Sequence, residues 1–296
     1  MPDNPQRPAP SDFRLDGHAV LALSGPDAIA FAQAQFMNDV ASLGVMDWHW
    51  SGWLTPKGRV IALFALLRRD EQTLWLVLPD ADPETVRSAL SRFVFRSKVR
   101  IESIDSAAAV GRFGRPTEAK GARAALLDDG MVEMDMRGEG GERTLRLGPQ
   151  DAAPDARAEM AWRATDLRHG LPRLSHAQVE QWTPQQLSLD RLAAFSVKKG
   201  CYPGQEIVAR THFLGKVKRG IALLESDALM DVGAEVRAGD TPLGTVASSC
   251  SLPSDGSVAL AVLPLERSAA DLFVAGRPVR EGELLGGLAR RPAPPL

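Results

Sequence analysis

Lys198-Lys199-Gly200-Cys201-Tyr202-Pro203-Gly204-Gln205-Glu206-Ile207-Val208-Ala209-Arg210 is the densest stretch of the chain. Gly200 and Gly204 bracket a tight turn. Pro203 suits the first position of a helix, and Glu206 falls in the first turn, where negative charge is favoured. Ile207, Val208 and Phe213 supply a buried face. Cys201 then stands just before a helix N-terminus, beside Lys198 and Lys199. That setting favours a thiolate and offers backbone N–H groups to an anion. Tyr202, the only tyrosine of the chain, is adjacent. The same residues equally suit an inert packing cysteine in a strand-to-helix turn.

Upstream, residues 48–54 and 60–67 read as strands around the turn Thr55-Pro56-Lys57-Gly58, and residues 74–78 as a third. Residues 13–15 and 19–23 read as strands around Asp16-Gly17. Pro26 starts a helix that places Ile29, Ala32, Phe36 and Val40 on one face. Residues 83–95 have helical spacing, and residues 99–104 form a strand. Residues 131–136 and 144–147 are short strands, and residues 150–159 a loop. A helix is expected over residues 185–195 and another after Pro203. Beyond Gly215, short apolar stretches alternate with Gly, Asp and Pro turns, the texture of a small β-barrel or sandwich. Strand and helix alternate as in an α+β layer, not as βαβ units.

With 296 residues the chain suggests about two domains. The formal net charge of −2 gives no global footprint for nucleic acid. Cys201 and Cys250 are too few for a disulfide framework, and the first twelve residues lack the apolar segment of a secretory signal. The longest apolar run, residues 60–67, is too short to span a bilayer. A reducing cytosol, with both thiols free, is the expectation. The Pro-rich ends read as disordered tails.

Residues 199–206, followed by Val208-Ala209-Arg210 and later Lys218-Arg219, resemble the signature of the YgfZ family, a branch of the folate-binding T-protein (aminomethyltransferase) superfamily. Four further stretches agree. Phe31-Ala32-Gln33 with Asn38-Asp39 resembles the early F-x-Q…N-D helix, and Pro56-Lys57-Gly58-Arg59 resembles the P-K-G-R turn. Gly170-Leu171-Pro172 and Pro184-Gln185 resemble the G-I-P and P-Q stretches. The likeness spans residues 13–285 and is weakest over residues 107–161.

The resemblance implies an α+β fold, a three-lobed ring of two α+β (ferredoxin-like) lobes and a C-terminal β-barrel around a folate-binding opening. It implies two interleaved lobes over 13–215 and the barrel over 216–290, with the tails that composition gives over residues 1–12 and 291–296 at either end. The implied cofactor is tetrahydrofolate or a one-carbon derivative. A carboxylate suits its pterin donors, an aromatic wall its ring, and Arg or Lys its glutamate tail. Cys201 matches the signature cysteine and is the candidate catalytic group. Lys57, Arg59 and Arg210 are candidates for the tail, and Trp53 or Tyr202 for the ring. Lys199, Gln205 and Glu206 complete the candidate cofactor-binding set. Each has a plain alternative: a solvated hairpin for Lys57 and Arg59, an ion pair with Glu206 for Arg210, core packing for Trp53.

Two departures from the superfamily matter. Aminomethyltransferases carry an acidic pair where this chain has Ile61 and Ala62, so aminomethyl transfer by the usual route is not expected. The pterin-gripping Glu of the superfamily is replaced by Arg168 in Asp166-Leu167-Arg168-His169-Gly170. Asp166 substitutes only if the strand register differs.

No metal site is expected: His169 and His176 lack partners at zinc spacing, and two distant cysteines cannot hold an iron–sulfur cluster alone. The implied role is folate-dependent support of iron–sulfur cluster assembly or repair in client enzymes, and through them of tRNA modification. A one-carbon transferase and a direct RNA-binding factor, using Lys198-Lys199 and Lys216-Lys218-Arg219, are the rivals. The near-neutral charge favours an indirect tie to RNA.

Overall fold

The computed structural model describes residues 11–215 and 217–292. Residues 1–10 and 293–296 of the expected tails (1–12 and 291–296), and Lys216 of the basic cluster, lie outside the described residues. β1 (Asp12–Arg14) and β2 (Ala19–Ser24) follow the expected strands, but they do not pair with each other. β2 joins β3 (Trp48–Leu54), β4 (Val60–Arg68), β5 (Thr73–Leu78) and β6 (Arg100–Ser103) in one antiparallel sheet of order β3-β4-β5-β2-β6. β1 instead edges a second antiparallel sheet with β7 (Ala108–Arg112), β8 (Ala125–Leu126), β9 (Val132–Asp135) and β10 (Thr144–Gly148), of order β1-β7-β10-β9-β8. The two lobes are thereby interleaved. Asp12, which composition placed in the tail, is the first residue of β1 and holds Arg112 through two hydrogen bonds of 2.5 and 2.8 Å.

The first sheet is covered on both faces, which is why β3 and β4 read as nearly continuous apolar runs. α1 (Ala28–Gln35) and α2 (Pro83–Ser91) cover one face, burying Phe31, Ala32, Val86 and Leu90 against Phe64, Leu66 and Leu76. The expected α1 face through Phe36 and Val40 is cut short, because the chain turns extended at Phe36. The other face contributes Trp48, Trp50 and Leu63 to a second core. That core also takes Met134 and Leu145 from the second sheet and Leu223, Val258 and Leu260 from the barrel. One contiguous apolar cluster therefore joins all three lobes.

α3 (Ala156–Arg168) takes over the last four residues of the loop expected over residues 150–159 and ends at Arg168, with His169 as its C-cap. Asp155 caps it, accepting from the amides of Arg157 and Ala158. Its buried face carries Trp162 and Asp166 as well as Leu167, so apolar periodicity alone does not reveal it. The helix expected over residues 185–195 is instead a run of turns. Ser188 and Ala193 adopt positive φ values of 48° and 53°, which end any helical ladder there. Tertiary contacts fix both: the Ser188 hydroxyl accepts from the Ile221 amide, and Asn38 Nδ2 donates to the Ala193 carbonyl.

α4 (Gln205–Phe213) follows the signature turn as expected, but Gly204 is its N-cap, so Pro203 lies outside the helix. The barrel closes through β11 (Arg219–Ser226), β12 (Glu235–Ala238), β13 (Thr241–Ser251), β14 (Ser257–Pro264), β15 (Leu272–Val274) and β16 (Arg277–Gly282), in the order β11-β14-β13-β12-β15-β16. After Gly282 the chain leaves the barrel and crosses back to the lobes as a strap. The Leu285 amide donates to the Arg168 carbonyl, and Trp50 Nε1 donates to the Leu288 carbonyl. Leu288 itself is buried in the shared core, and Arg290 donates to the carbonyls of Asp135 and Arg137. No described helix is long and apolar enough to cross a membrane.

Candidate functional site

Three of the stretches that carry the family resemblance, the Gln33 and Asn38-Asp39 residues, the P-K-G-R turn and Pro184-Gln185, meet the signature and α4, whereas Gly170 lies apart, against Ile221 and Leu284. Lys199 is buried and points its ammonium at the end of α1. It donates to the carbonyls of Gln33 and Phe36 at 2.5 Å and of Asn38 at 3.1 Å. This satisfies carbonyls a helix end would leave unpaired. Burial lowers the Lys199 pKa to about 8. The Tyr202 ring lies 4.9 Å beneath the same ammonium. Tyr202 is buried too; its hydroxyl donates to the Ser196 carbonyl, and desolvation raises it to about 12.

The early Gln and Asn-Asp residues shape the segment that Lys199 holds. Gln33 Oε1 accepts from the Val40 amide at 2.7 Å, and Gln33 Nε2 donates to Asp39. Asn38 Nδ2 bridges the carbonyls of Trp50 and Ala193, both at 2.8 Å. Gln205 donates back to the Lys199 carbonyl, and Gln185 donates to the Val208 carbonyl. The P-K-G-R hairpin tip closes the group, packing Gly58 against Gly204 and Ile207.

The candidate residues therefore divide. Lys199, Tyr202 and Gln205 are committed to the scaffold. Arg59 donates to the Gln181 carbonyl and to Gln186 Oε1, bracing the turns at 181–186. Trp53 is 4% exposed and packs edge-on to Phe93 at 5.8 Å, so it walls the first core, although its Nε1 meets no partner. Lys57, Glu206, Arg210 and Cys201 remain exposed. The anticipated Glu206–Arg210 ion pair does not form among the described residues. At the helix start the amides of Gln205, Ile207 and Val208 already donate to Tyr202 and Gly204 carbonyls, leaving little of the expected anion nest.

Two adjoining clefts flank this group, of about 390 and 450 Å³. Asp190, Phe195 and His212 line both. Ser196, Val197 and Lys198, which lead into the signature, line the first, together with Asp39 and Arg291. Cys201 stands just beyond Lys198, outside the lining of either. His49 also reaches the first cleft from β3. It faces away from Trp48 and Trp50, its Nε2 meets no hydrogen-bond partner, and burial lowers its pKa to about 3. Nothing in the spacing of the sequence singles out His49, Asp190 or Phe195; the fold alone gathers them.

The two departures noted in the sequence also resolve. Asp166 lies on a helix, not a strand, and is buried between Arg143 at 2.7 Å and Arg173 at 2.9 Å. Arg173 in turn reaches Asp80 at 2.6 Å. Asp166 is thus held inside an ion network and is not a free pterin clamp. Arg168 is half-buried and meets Glu225 at 3.7 Å. Ile61 and Ala62 line a void of only about 20 Å³ beside Asp80 and Pro172. His169 is a structural residue: Nδ1–H donates to the Thr165 carbonyl, Nε2 accepts from the Gly140 amide, and burial lowers its pKa. No group of three or more metal-ligating side chains occurs among the described residues.

No protein-family model matches the chain. It is 30% identical to the tRNA-modifying protein YgfZ of Klebsiella pneumoniae (strain 342) over 274 residues, which cover 84% of this chain and 83% of that relative. The chain belongs to the YgfZ family. The YgfZ protein of Edwardsiella ictaluri (strain 93-146) is 29% identical over 88% of each chain. Among solved structures, the glycine cleavage system aminomethyltransferase T from Bartonella henselae superposes with a TM-score of 0.70 over 90% of this chain and 83% of that one. Their sequences are 17% identical, so this likeness speaks for the fold alone. The three-lobed α+β architecture with its barrel is that of aminomethyltransferase T, and the YgfZ signature is the part wrapped around α4.

Proposed function

We propose that the protein is a tetrahydrofolate-binding accessory factor that supports iron–sulfur enzymes and, through them, tRNA modification. The observation that carries this reading is the convergence of three YgfZ stretches on the turn that exposes Cys201 beside a cleft. The donor set of that cleft suits a reduced folate. Asp190 and Asp39 offer carboxylates to pterin N–H groups, Phe195 offers a flat apolar wall, and Lys198 and Arg291 offer cations to the glutamate tail. The ring-site role first given to Trp53 and Tyr202 passes to Phe195, since both of those rings are core. Lys57 and Arg210 are exposed and lie outside the lining of either cleft, and they remain the further candidates for the tail. Folate, when bound, supplies one-carbon or reducing chemistry. Cys201 is the protein's own reactive group, a redox centre or transient ligand on the open side of the turn. With Ile61 and Ala62 in place of acids, this chain is not proposed to transfer aminomethyl groups.

Calorimetric titration with tetrahydrofolate tests the ligand. The wild-type protein binds saturably, and Asp190→Asn and Arg210→Ala each weaken the affinity; absence of saturable binding overturns the reading. Cys201→Ser tests the thiol. It folds normally but fails to restore cluster-enzyme activity in a strain lacking the protein, and full restoration removes the thiol from the mechanism.

A further inference from the structure

The chain is nearly neutral, yet its charge is segregated. Residues 85–101 hold Arg87, Arg92, Arg96, Lys98 and Arg100 and no Asp or Glu. Arg87 is taken by Glu84 on α2, and Arg100 lies 3.6 Å from Glu102. Arg92, Arg96 and Lys98 are exposed and meet no carboxylate among the described residues. Interleaved with them are Phe93, 50% exposed, and Phe95, 86% exposed.

This loop is firmly held. Val94 and Val99 pack on the first core, Phe93 rests edge-on against Trp53, and the Lys98 amide donates to Asp27 at 2.7 Å. The Lys98 carbonyl abuts Gly25 so closely that a Cβ there would lie 2.2 Å from it. Phe95 is therefore kept in water by an ordered backbone. Its ring has one neighbour of note, the Arg96 guanidinium, 5.7 Å from its centroid.

We propose that residues 92–100 form a docking site for single-stranded RNA, in which an unstacked base lies on Phe95 beside the Arg96 guanidinium while Arg92, Lys98 and Arg100 meet phosphates. The inference goes beyond the folate reading and does not depend on it. An aromatic platform between cations is what sequence-tolerant single-strand binding requires. A net charge near zero does not oppose it, because charges more than about 8–10 Å away are screened at physiological salt. A lipid surface fits less well, since Phe93 is held by Trp53 and a single free ring offers little apolar area to insert. An acidic protein would use the cations and leave the Phe95 face idle.

Fluorescence anisotropy of the full chain with a labelled 12-nucleotide RNA and with an unmodified tRNA transcript provides the test. The residues are all on the surface, so variants keep the fold, which circular dichroism checks. The wild type binds both RNAs with affinity falling steeply as salt rises. Phe95→Ala weakens binding about 5- to 100-fold without changing the salt slope. Arg92→Ala/Lys98→Ala/Arg100→Ala, which removes the three phosphate contacts, flattens that slope by roughly 2. Polyglutamate and phosphatidylserine vesicles leave the RNA bound. Failure of the wild type to bind at low salt, an unchanged affinity for Phe95→Ala, or equal competition by polyglutamate or vesicles each overturns the proposal.

Discussion

Gly58 and Gly204 lie face to face, each in a left-handed backbone, with φ of 69° and 79°. A Cβ on Gly204 would sit 2.7 Å from the Gly58 Cα and from the Thr55 carbonyl, and a Cβ on Gly58 would sit 2.9 Å from the Ile207 Cβ. The hairpin tip of the first sheet and the turn that presents Cys201 are therefore one interlocked unit. Gly204→Ala is expected to cost about 2–5 kcal/mol, combining ~1–2 for the left-handed backbone and ~1–3 for the overlap. Gly200→Ala, in the same turn but with nothing within 4 Å of its Cβ, is expected to cost less than ~0.5 kcal/mol. Urea midpoints of the two variants check the contrast.

The two thiols differ in access. Cys201 is exposed, whereas Cys250 is buried, donates to the Ser251 carbonyl at 3.0 Å, and has its pKa raised by desolvation. Ellman's reagent is expected to modify one thiol per chain quickly in the native state and the second only on denaturation. Cys201→Ser abolishes the fast phase and Cys250→Ser leaves it. A fast phase that survives Cys201→Ser would contradict the assignment.

Asp166 is shared by two buried guanidinium groups, so Asp166→Asn is expected to cost about 3–5 kcal/mol, the range for stranding a buried charge. Arg168→Ala, two residues on, is expected to cost no more than ~1 kcal/mol, because its pairing with Glu225 is long and partly solvated. Paired thermal and urea melts separate a network residue from a surface one.

His49 makes the fold sensitive to acid. Its pKa falls from 6.5 to about 3 on folding, because burial and the nearby Lys199 charge disfavour the imidazolium. Between those values the unfolded chain holds a proton that the folded chain does not, so stability falls as pH falls from 6.5 towards 3. Over the 1.5 units from pH 6.5 to 5 the share of His49 is ~2 kcal/mol, at 1.36 kcal/mol per unit. His49→Gln is expected to remove that share of the slope, measured as urea stability at pH 7 and pH 5. An unchanged slope would place the imidazole in water.

Part of this architecture is legible in the residues. β3 and β4 announce themselves by a long apolar run broken at Thr55-Pro56-Lys57-Gly58, and α2 by Pro83 with Val86 and Leu90. The barrel shows in its short apolar stretches between Gly and Asp turns. α3 is hidden because the side it buries carries Asp166, whose partners Arg143 and Arg173 come from elsewhere in the chain. Residues 185–195 mimic a helix through Leu187, Leu189 and Leu192, yet long-range bonds to Asn38 and Ile221 override that spacing. In the candidate site, the turn bearing Cys201 and its exposure are readable. That Lys199 and Tyr202 serve as a strut, or that Asp190 and Phe195 share a cleft, depends on contacts between residues about 150 positions apart, such as Asn38 with Ala193 at a separation of 155.

The strap beyond Gly282 has a mechanical consequence. Swinging the barrel away from the lobes would pull Leu288 out of apolar surroundings, at ~2 kcal/mol for the side chain, and would break the Trp50 and Arg290 bonds in the same stroke. Large hinge opening is thereby made expensive. A small molecule is then expected to enter the clefts, which are already open to solvent, with the three lobes keeping their mutual orientation.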